Sequence, residues 1–278
     1  MKTIITLFIA AITIVNVSFA QNYPDKILLN KNQKLITSTT SNGTVSFQMM
    51  GQSMETTSES TVNTTVDVKD VTPVGYLLTN TVNKMKIKTT GGMAPPVDFD
   101  SDKKEDINSE IGKSVSGNLQ PTDLEITFTG KPVEKKNMKD EEDMAKVMQS
   151  IMSGTGDNGI TGVFMLIPAG KKIGNIWADS SNENGVKIKN TYTLKQVNGN
   201  DASVSVTTIS NINKTVNSQG AELTVTMDSK ISSDNIVELT TGVIKEKRTT
   251  IEGQGNLSAA GQDMPMTTKV TSVTTVKM

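Results

Sequence analysis

The strongest constraint on this chain is an alternation of apolar and polar residues with a period of two, held over ten residues and more. Between positions 221 and 231, Ala221, Leu223, Val225, Met227, Ser229 and Ile231 take one parity, and Glu222, Thr224, Thr226, Asp228 and Lys230 the other. Successive side chains of a β-strand point to opposite faces, so such a segment buries one face and leaves the other in water. A helix would scatter the same residues around its circumference.

The pattern recurs along the chain. Val62, Val66 and Val68 alternate with Asn63, Thr65, Asp67 and Lys69, and Val186, Ile188, Tyr192 and Leu194 alternate with Lys187, Lys189, Thr191, Thr193 and Lys195. Near the end, Met264, Met266, Val270, Val276 and Met278 share a parity opposed by Thr267, Lys269, Thr271 and Lys277. Turn residues fall between these runs, as Thr72-Pro73-Val74-Gly75, Asn198-Gly199-Asn200-Asp201, Ser218-Gln219-Gly220 and Ala260-Gly261-Gln262-Asp263. At about 3.3 Å per residue the longest strands reach roughly 35 Å. The expected fold is mainly β: a large curved antiparallel sheet or half-open barrel from two similar halves, with one amphipathic helix across its apolar face.

That helix is read at 140–153. Met144, Val147, Met148, Ile151 and Met152 are spaced i, i+3, i+4, i+7, i+8, Asp140 can cap the N-terminus, and Gly154 can close the C-terminus. A second, weaker helical turn is expected between positions 102 and 111. The halves are suggested by a gapless match of the segment 66–78 onto 192–204, in which apolar, polar and turn positions coincide. The expected organisation is a signal peptide at 1–20, a first β half at 21–136, a connecting helix at 137–159 and a second β half at 160–278.

The signal peptide rests on Lys2, the apolar run 4–17, and small residues at Ser18 and Ala20, with cleavage expected after Ala20. A run of that length falls short of the roughly 20 residues that span a bilayer. Export to the periplasm or medium is therefore expected, with no transmembrane segment left after cleavage.

The chain has no cysteine and no histidine. That excludes a disulfide framework, thiolate or imidazole catalysis, and a Cys/His zinc site. The 28 basic and 29 acidic side chains balance, so no polyanion-tracking surface and no nucleic-acid partner are expected. Asp98, Asp100 and Asp102 form a D-x-D-x-D run, but a calcium loop begun at Asp98 would need Gly and Glu where Lys103 and Ser109 stand. No metal and no cofactor are expected.

The segment Ile167-Pro-Ala-Gly-Lys-Lys-Ile-Gly174-Asn-Ile-Trp177, followed by Tyr192-Thr-Leu-Lys-Gln-Val197 and a Gly/Asn/Asp turn, resembles a family of exported bacterial proteins known only as a domain of unknown function. There a G-x-x-W strand and a Y-x-L strand open the second half, and Met-rich strands with an Asp/Ser segment, here Asp98-Phe-Asp-Ser-Asp102, occupy the first. The resemblance implies an extracytoplasmic β-rich protein and supplies no site residues. Where such sequences often have an acid beside the tryptophan strand, this chain has Asn175-Ile176.

Fifteen methionines in a chain with 4% aromatic residues make a soft apolar surface. A helix of this length, about 21 Å, is too short to cover a sheet of long strands. The expected function is an exported, non-enzymatic protein that holds a hydrophobic small molecule or lipid between sheet and helix, lined by Met144, Val147, Met148, Ile151, Met152 and Met227. The alternative is a structural or partner-binding module whose face is closed by its own strands or by a homodimer. A carboxylate-dependent hydrolase ranks third, since no pair of acids stands out and aromatic sugar platforms are scarce. Scarce aromatics also speak against an outer-membrane barrel, which carries aromatic girdles.

Overall fold

Each alternating run folds as a strand. The computed structural model describes residues 23–49, 51–92, 96–133, 161–183, 185–218, 221–259 and 262–278. The expected helix at 140–153, and with it Met144, Val147, Met148, Ile151 and Met152, lies outside the described residues, as does the targeting segment.

The strands are β1 Lys34–Met49, β2 Gln52–Val71, β3 Gly75–Gly91, β4 Val97–Asp100, β5 Thr122–Thr127, β6 Ile176–Glu183, β7 Val186–Asn198, β8 Asp201–Ser218, β9 Ala221–Glu238, β10 Ile244–Ala259 and β11 Gln262–Lys277. They form one 11-stranded sheet in the order β4-β3-β2-β1-β11-β10-β9-β8-β7-β6, with β5 also on β3. The sheet is not closed: β4 and β5 share the outer edge of β3, and β6 is the opposite edge. Antiparallel pairing of β1 with β11 brings the two ends of the meander together in mid-sheet. The helical turn expected after Asp102 is two short helices, α1 Lys104–Asn108 and α2 Glu110–Val115, between β4 and β5.

The two hairpins that match in sequence share an irregularity. In β2 the register with β3 shifts between Val68 and Asp70, and in β7 the register with β8 shifts between Leu194 and Gln196. Under the gapless alignment Val68 falls on Leu194 and Asp70 on Gln196. An extra residue bends a strand and sharpens its twist, so both hairpins coil at the same place. Both residues that open the shift are fully buried.

Direct partners in an antiparallel ladder lie on one face, so the register assigns every side chain a side. The inward side takes odd residues of β1 and even residues of β11, including Leu35, Val45, Met266 and Val276, all buried. At one end of the strands this face is capped by chain outside the sheet. Ile27, Leu29 and Val163, with Phe164 and Leu166, close over Leu35, Val66, Val68 and Leu78. Tyr23 and Ile167 join Leu194, Ala202, Val204, Val237 and Ile244. Tyr76 fastens this cap, because its hydroxyl donates to the Ile27 carbonyl at 2.7 Å and accepts from the Leu29 N–H at 3.1 Å. Burying Ile27 completely contributes about 2–3 kcal/mol on its own.

At the far end a third cluster forms from Val45, Val225, Met227 and Met266, with Phe47, Ile212, Leu223 and Leu257 packed against it. All of these belong to the sheet. Among the described residues no element from outside the sheet joins this cluster.

Candidate functional site

The expectation of one continuous apolar face is corrected by the rows between these clusters. Across the middle of the inward side, Thr39, Thr274, Lys247 and Asn235 stand side by side, followed by Val204 and Leu194. Two residues further along, the row reads Ser60, Ser41, Ser272, Thr249, Ser233 and Val206. The next returns to apolar character with Val270, Ile251 and Ile231. Further still come Phe47, Met266, Gly255, Met227 and Ile212. Between those last two rows stand Val45, Thr268, Gly253, Ser229 and Ser210, so a cationic and hydroxylic band and a second, purely hydroxylic row interrupt the apolar face.

Lys247 points inward on the same parity as Ile251, and a bulge lies just before it. Counting back from buried Ile251, the inward parity takes Thr249 and Lys247 and would next take Lys245. The register shift between Ile244 and Glu246 resets it, so Ile244 is buried and Lys245 is exposed, where its ammonium meets Asp201 at 2.8 Å. Lys247 has no ion-pair partner among the described residues, and burial pushes its pKa down. Asp179, a carboxylate on the same face, sits on β6 four strands away, roughly 19 Å across the sheet. The other inward lysine, Lys214, stands beyond the methionine row on β8.

Asn235 is directly opposite Lys247 and only 1% exposed. Its Nδ2 donates to the Val204 carbonyl and to Ser233 Oγ, each at 3.2 Å. The carbonyl contact fixes the amide orientation, since only the NH₂ end can donate. That leaves Oδ1 buried with no partner. A buried unsatisfied acceptor costs about 1–3 kcal/mol.

Neither residue is among those read as ligand-lining from the sequence. The signal was present, for the parity of Ile231 continues through Ser233 and Asn235 to Val237. Lys247 shares the parity of Ile251, but Ile244, also buried, has the opposite parity and points the reading the other way. Met227 does lie on the inward side, 2% exposed, with Gly255 between it and Met266.

At the edge, Trp177 stacks on Tyr192 with ring centroids 5.3 Å apart and planes within 6°. The Tyr192 hydroxyl donates to Asp179 at 2.9 Å, Asn190 donates to the other Asp179 oxygen at 2.7 Å, and Thr208 donates to Asn190 at 2.6 Å. Burial first, and then the bond to Asp179, push the Tyr192 pKa up and keep the phenol a donor. An acid does follow the tryptophan, two positions on, and it orients a tyrosine.

The described cavity, about 780 Å³, opens on the outward side. Ser46, Thr267, Gln254, Asp228, Asn211 and Lys187 form one transverse row along it. Polar side chains are the more numerous along this trough, and Met227, Met266 and Ile212 also belong to its lining. The Asp98–Asp102 run is occupied by ion pairs: Asp100 with Lys86 at 2.6 Å, which holds the Asp100 pKa down, and Asp102 with Lys84. Among the described residues no three His, Cys, Asp or Glu side chains are grouped to hold a metal.

Fold and site define a protein built on one long-stranded open antiparallel sheet, capped at one end. No family model matches the chain, and no curated protein matches it. Among solved structures it is similar to lipovitellin, in a structure concerned with lipid–protein interactions, at 10% identity and a TM-score of 0.51. That match covers 90% of this chain and 26% of the lipovitellin chain, so this chain spans about a quarter of that protein. At such identity the likeness establishes a shared sheet architecture alone. Two more distant matches carry no argument: Pseudomonas aeruginosa OccK5 (OpdH), at 8% identity and a TM-score of 0.29, covering 89% of this chain and 99% of that one, and an outer membrane channel from Pseudomonas putida F1, at 9% and 0.25, covering 91% and 98%.

Proposed function

We propose that this is an exported, non-enzymatic carrier that holds a hydrophobic molecule of lipid type on the inward face of its sheet, beneath the amphipathic helix that the sequence predicts at 140–153. The observation that carries this reading is the far-end cluster. Val45, Val225, Met227 and Met266 form a buried apolar cluster to which no described element outside the sheet contributes, whereas the clusters at the other end have their own cap. Methionine suits such a surface, because its flexible thioether side chain conforms to irregular apolar ligands. Lipovitellin, whose structure concerns lipid–protein interactions, shares this sheet architecture and is compatible with the assignment.

The test is extraction and native mass spectrometry of the protein purified from its own host. A co-purifying apolar molecule is expected, and repeated preparations free of one would refute the reading.

A second reading, a partner-binding module or homodimer, is favoured by β6, whose outer edge has no pairing strand among the described residues, and by Ile173 and Ile176, 60% and 63% exposed. An unpaired strand edge is a template for another chain. A concentration-dependent dimer in sedimentation velocity, abolished by Ile176→Lys, would support it.

A further inference from the structure

From the inward rows of β9, β10 and β11 we infer a head-group site: Lys247 and Asn235 receive the polar end of an acidic amphiphile whose chain runs over Ile251 toward Met227 and Met266. The inference rests on the function proposed above and specifies its ligand class.

Three features carry it. Lys247 is an inward ammonium with no anion among the described residues, and the carboxylate of Asp179 is four strands away. Asn235 Oδ1, opposite it, is a buried acceptor with no donor, although its amide orientation is fixed. Together they ask for a group presenting both an anionic oxygen and a donor, such as a carboxylate or phosphate beside a hydroxyl. Nothing apolar would satisfy either residue. The row of hydroxyls next to them, from Ser41 through Ser272 and Thr249 to Ser233, continues the polar band on its far-end side.

The third feature is direction and length. Beyond the hydroxyls the face turns apolar at Val270, Ile251 and Ile231, crosses one row of Val45, Thr268, Gly253, Ser229 and Ser210, and reaches the methionine row, eight residues from Asn235 to Met227, or about 27 Å. A bilayer core of about 30 Å places roughly 15 Å on each acyl chain, so the span from Asn235 to Met227 matches a head group and a full chain in length. The opposite direction is closed, because the cap packs on Leu194, Val204 and Val237. The head therefore sits where the cap ends, and the tail points away from it.

The test uses the purified, delipidated full chain and three fluorescent probes with the same 16-carbon chain: a carboxylic acid, a lysophosphatidate and a neutral alcohol. The wild type is expected to bind at least one anionic probe ten or more times tighter than the alcohol, and the preferred anion separates a carboxylate source from a phosphate one. Lys247→Met should erase that preference while leaving alcohol binding unchanged, and Lys247→Arg should keep it. Lys247→Gln, checked by circular dichroism, serves if the methionine variant does not fold. Equal binding of acid and alcohol by the wild type, or a preference that survives Lys247→Met, would overturn the head-group assignment while the carrier reading stands. Failure of all three probes to bind would overturn both.

Discussion

Gly255 offers the sharpest check on how the far end of the sheet is packed. It lies in the interior of β10, on the inward row between Met227 and Met266, and its backbone is not in the left-handed region. A Cβ there would stand 2.0 Å from the Thr226 carbonyl oxygen and 2.8 Å from Met227 Cα. Both are backbone atoms, so no rotamer change relieves the contact. Ordinary van der Waals approach begins near 3.4 Å, so β9 and β10 would have to part locally by more than about 1 Å. Overpacking of this kind costs about 1–3 kcal/mol, and a ladder hydrogen bond lost with it adds roughly 0.5–1.5. Against this, Gly→Ala gains about 0.4–1 kcal/mol through the unfolded chain. Gly255→Ala should therefore destabilise by about 1–3 kcal/mol, lowering Tm by roughly 2–12 °C in a protein of this size. Gly117 is the control, for nothing lies within 4 Å of its added Cβ, and Gly117→Ala should be neutral or mildly stabilising. Urea unfolding followed by circular dichroism measures both. If Gly255→Ala proved as stable as Gly117→Ala, the close approach of β9 and β10 beneath the methionine row would be wrong.

Three further outcomes are expected. Tyr76→Phe should cost about 1–3 kcal/mol and speed amide exchange at Leu29, because the Ile27 carbonyl and the Leu29 N–H lose their buried partner; unchanged exchange would mean that the cap is held by packing alone. Lys247→Met should raise the stability of the ligand-free protein at neutral pH by an amount of order 1 kcal/mol, by removing an unpaired, desolvated charge. The folded Lys247 pKa lies below the unfolded 10.5, so the unfolded chain binds more protons between the two, wild-type stability gains a rising component with pH across that window, and the variant lacks it. Tyr192 has the opposite sign: its folded pKa is raised above the unfolded 10.0, so its stabilising contribution is present below pH 10 and lost as pH rises beyond, a loss absent in Tyr192→Phe. Urea midpoints measured from pH 7 to 11 distinguish the two.

Much of the sheet was legible because its cause is local. Parity alone places Val66, Val68, Leu194, Val225, Met227 and Met266 inward, and each is inward. The turns at Thr72-Pro73-Val74-Gly75 and Asn198-Gly199-Asn200-Asp201 fall where they connect β2 to β3 and β7 to β8. What parity cannot convey is which side-chain types share a transverse row. Lys247 and Asn235 become neighbours through the register of β9 on β10, which neither strand encodes alone. The amphipathic ends are visible in single strands, while the polar band between them exists only across strands. The same limit hid the pairing of β1 with β11, a contact between strands far apart in sequence that no local pattern encodes.

The most direct test of ligand binding on the inward face is photo-crosslinking with a diazirine-tagged 16-carbon fatty acid, followed by peptide mapping. Inward residues of the methionine row and its neighbours, Met227, Met266 and Ile251, are the expected sites of attachment. Labelling confined to the outward row of Asn211, Asp228 and Gln254, or spread evenly over both faces, would contradict it.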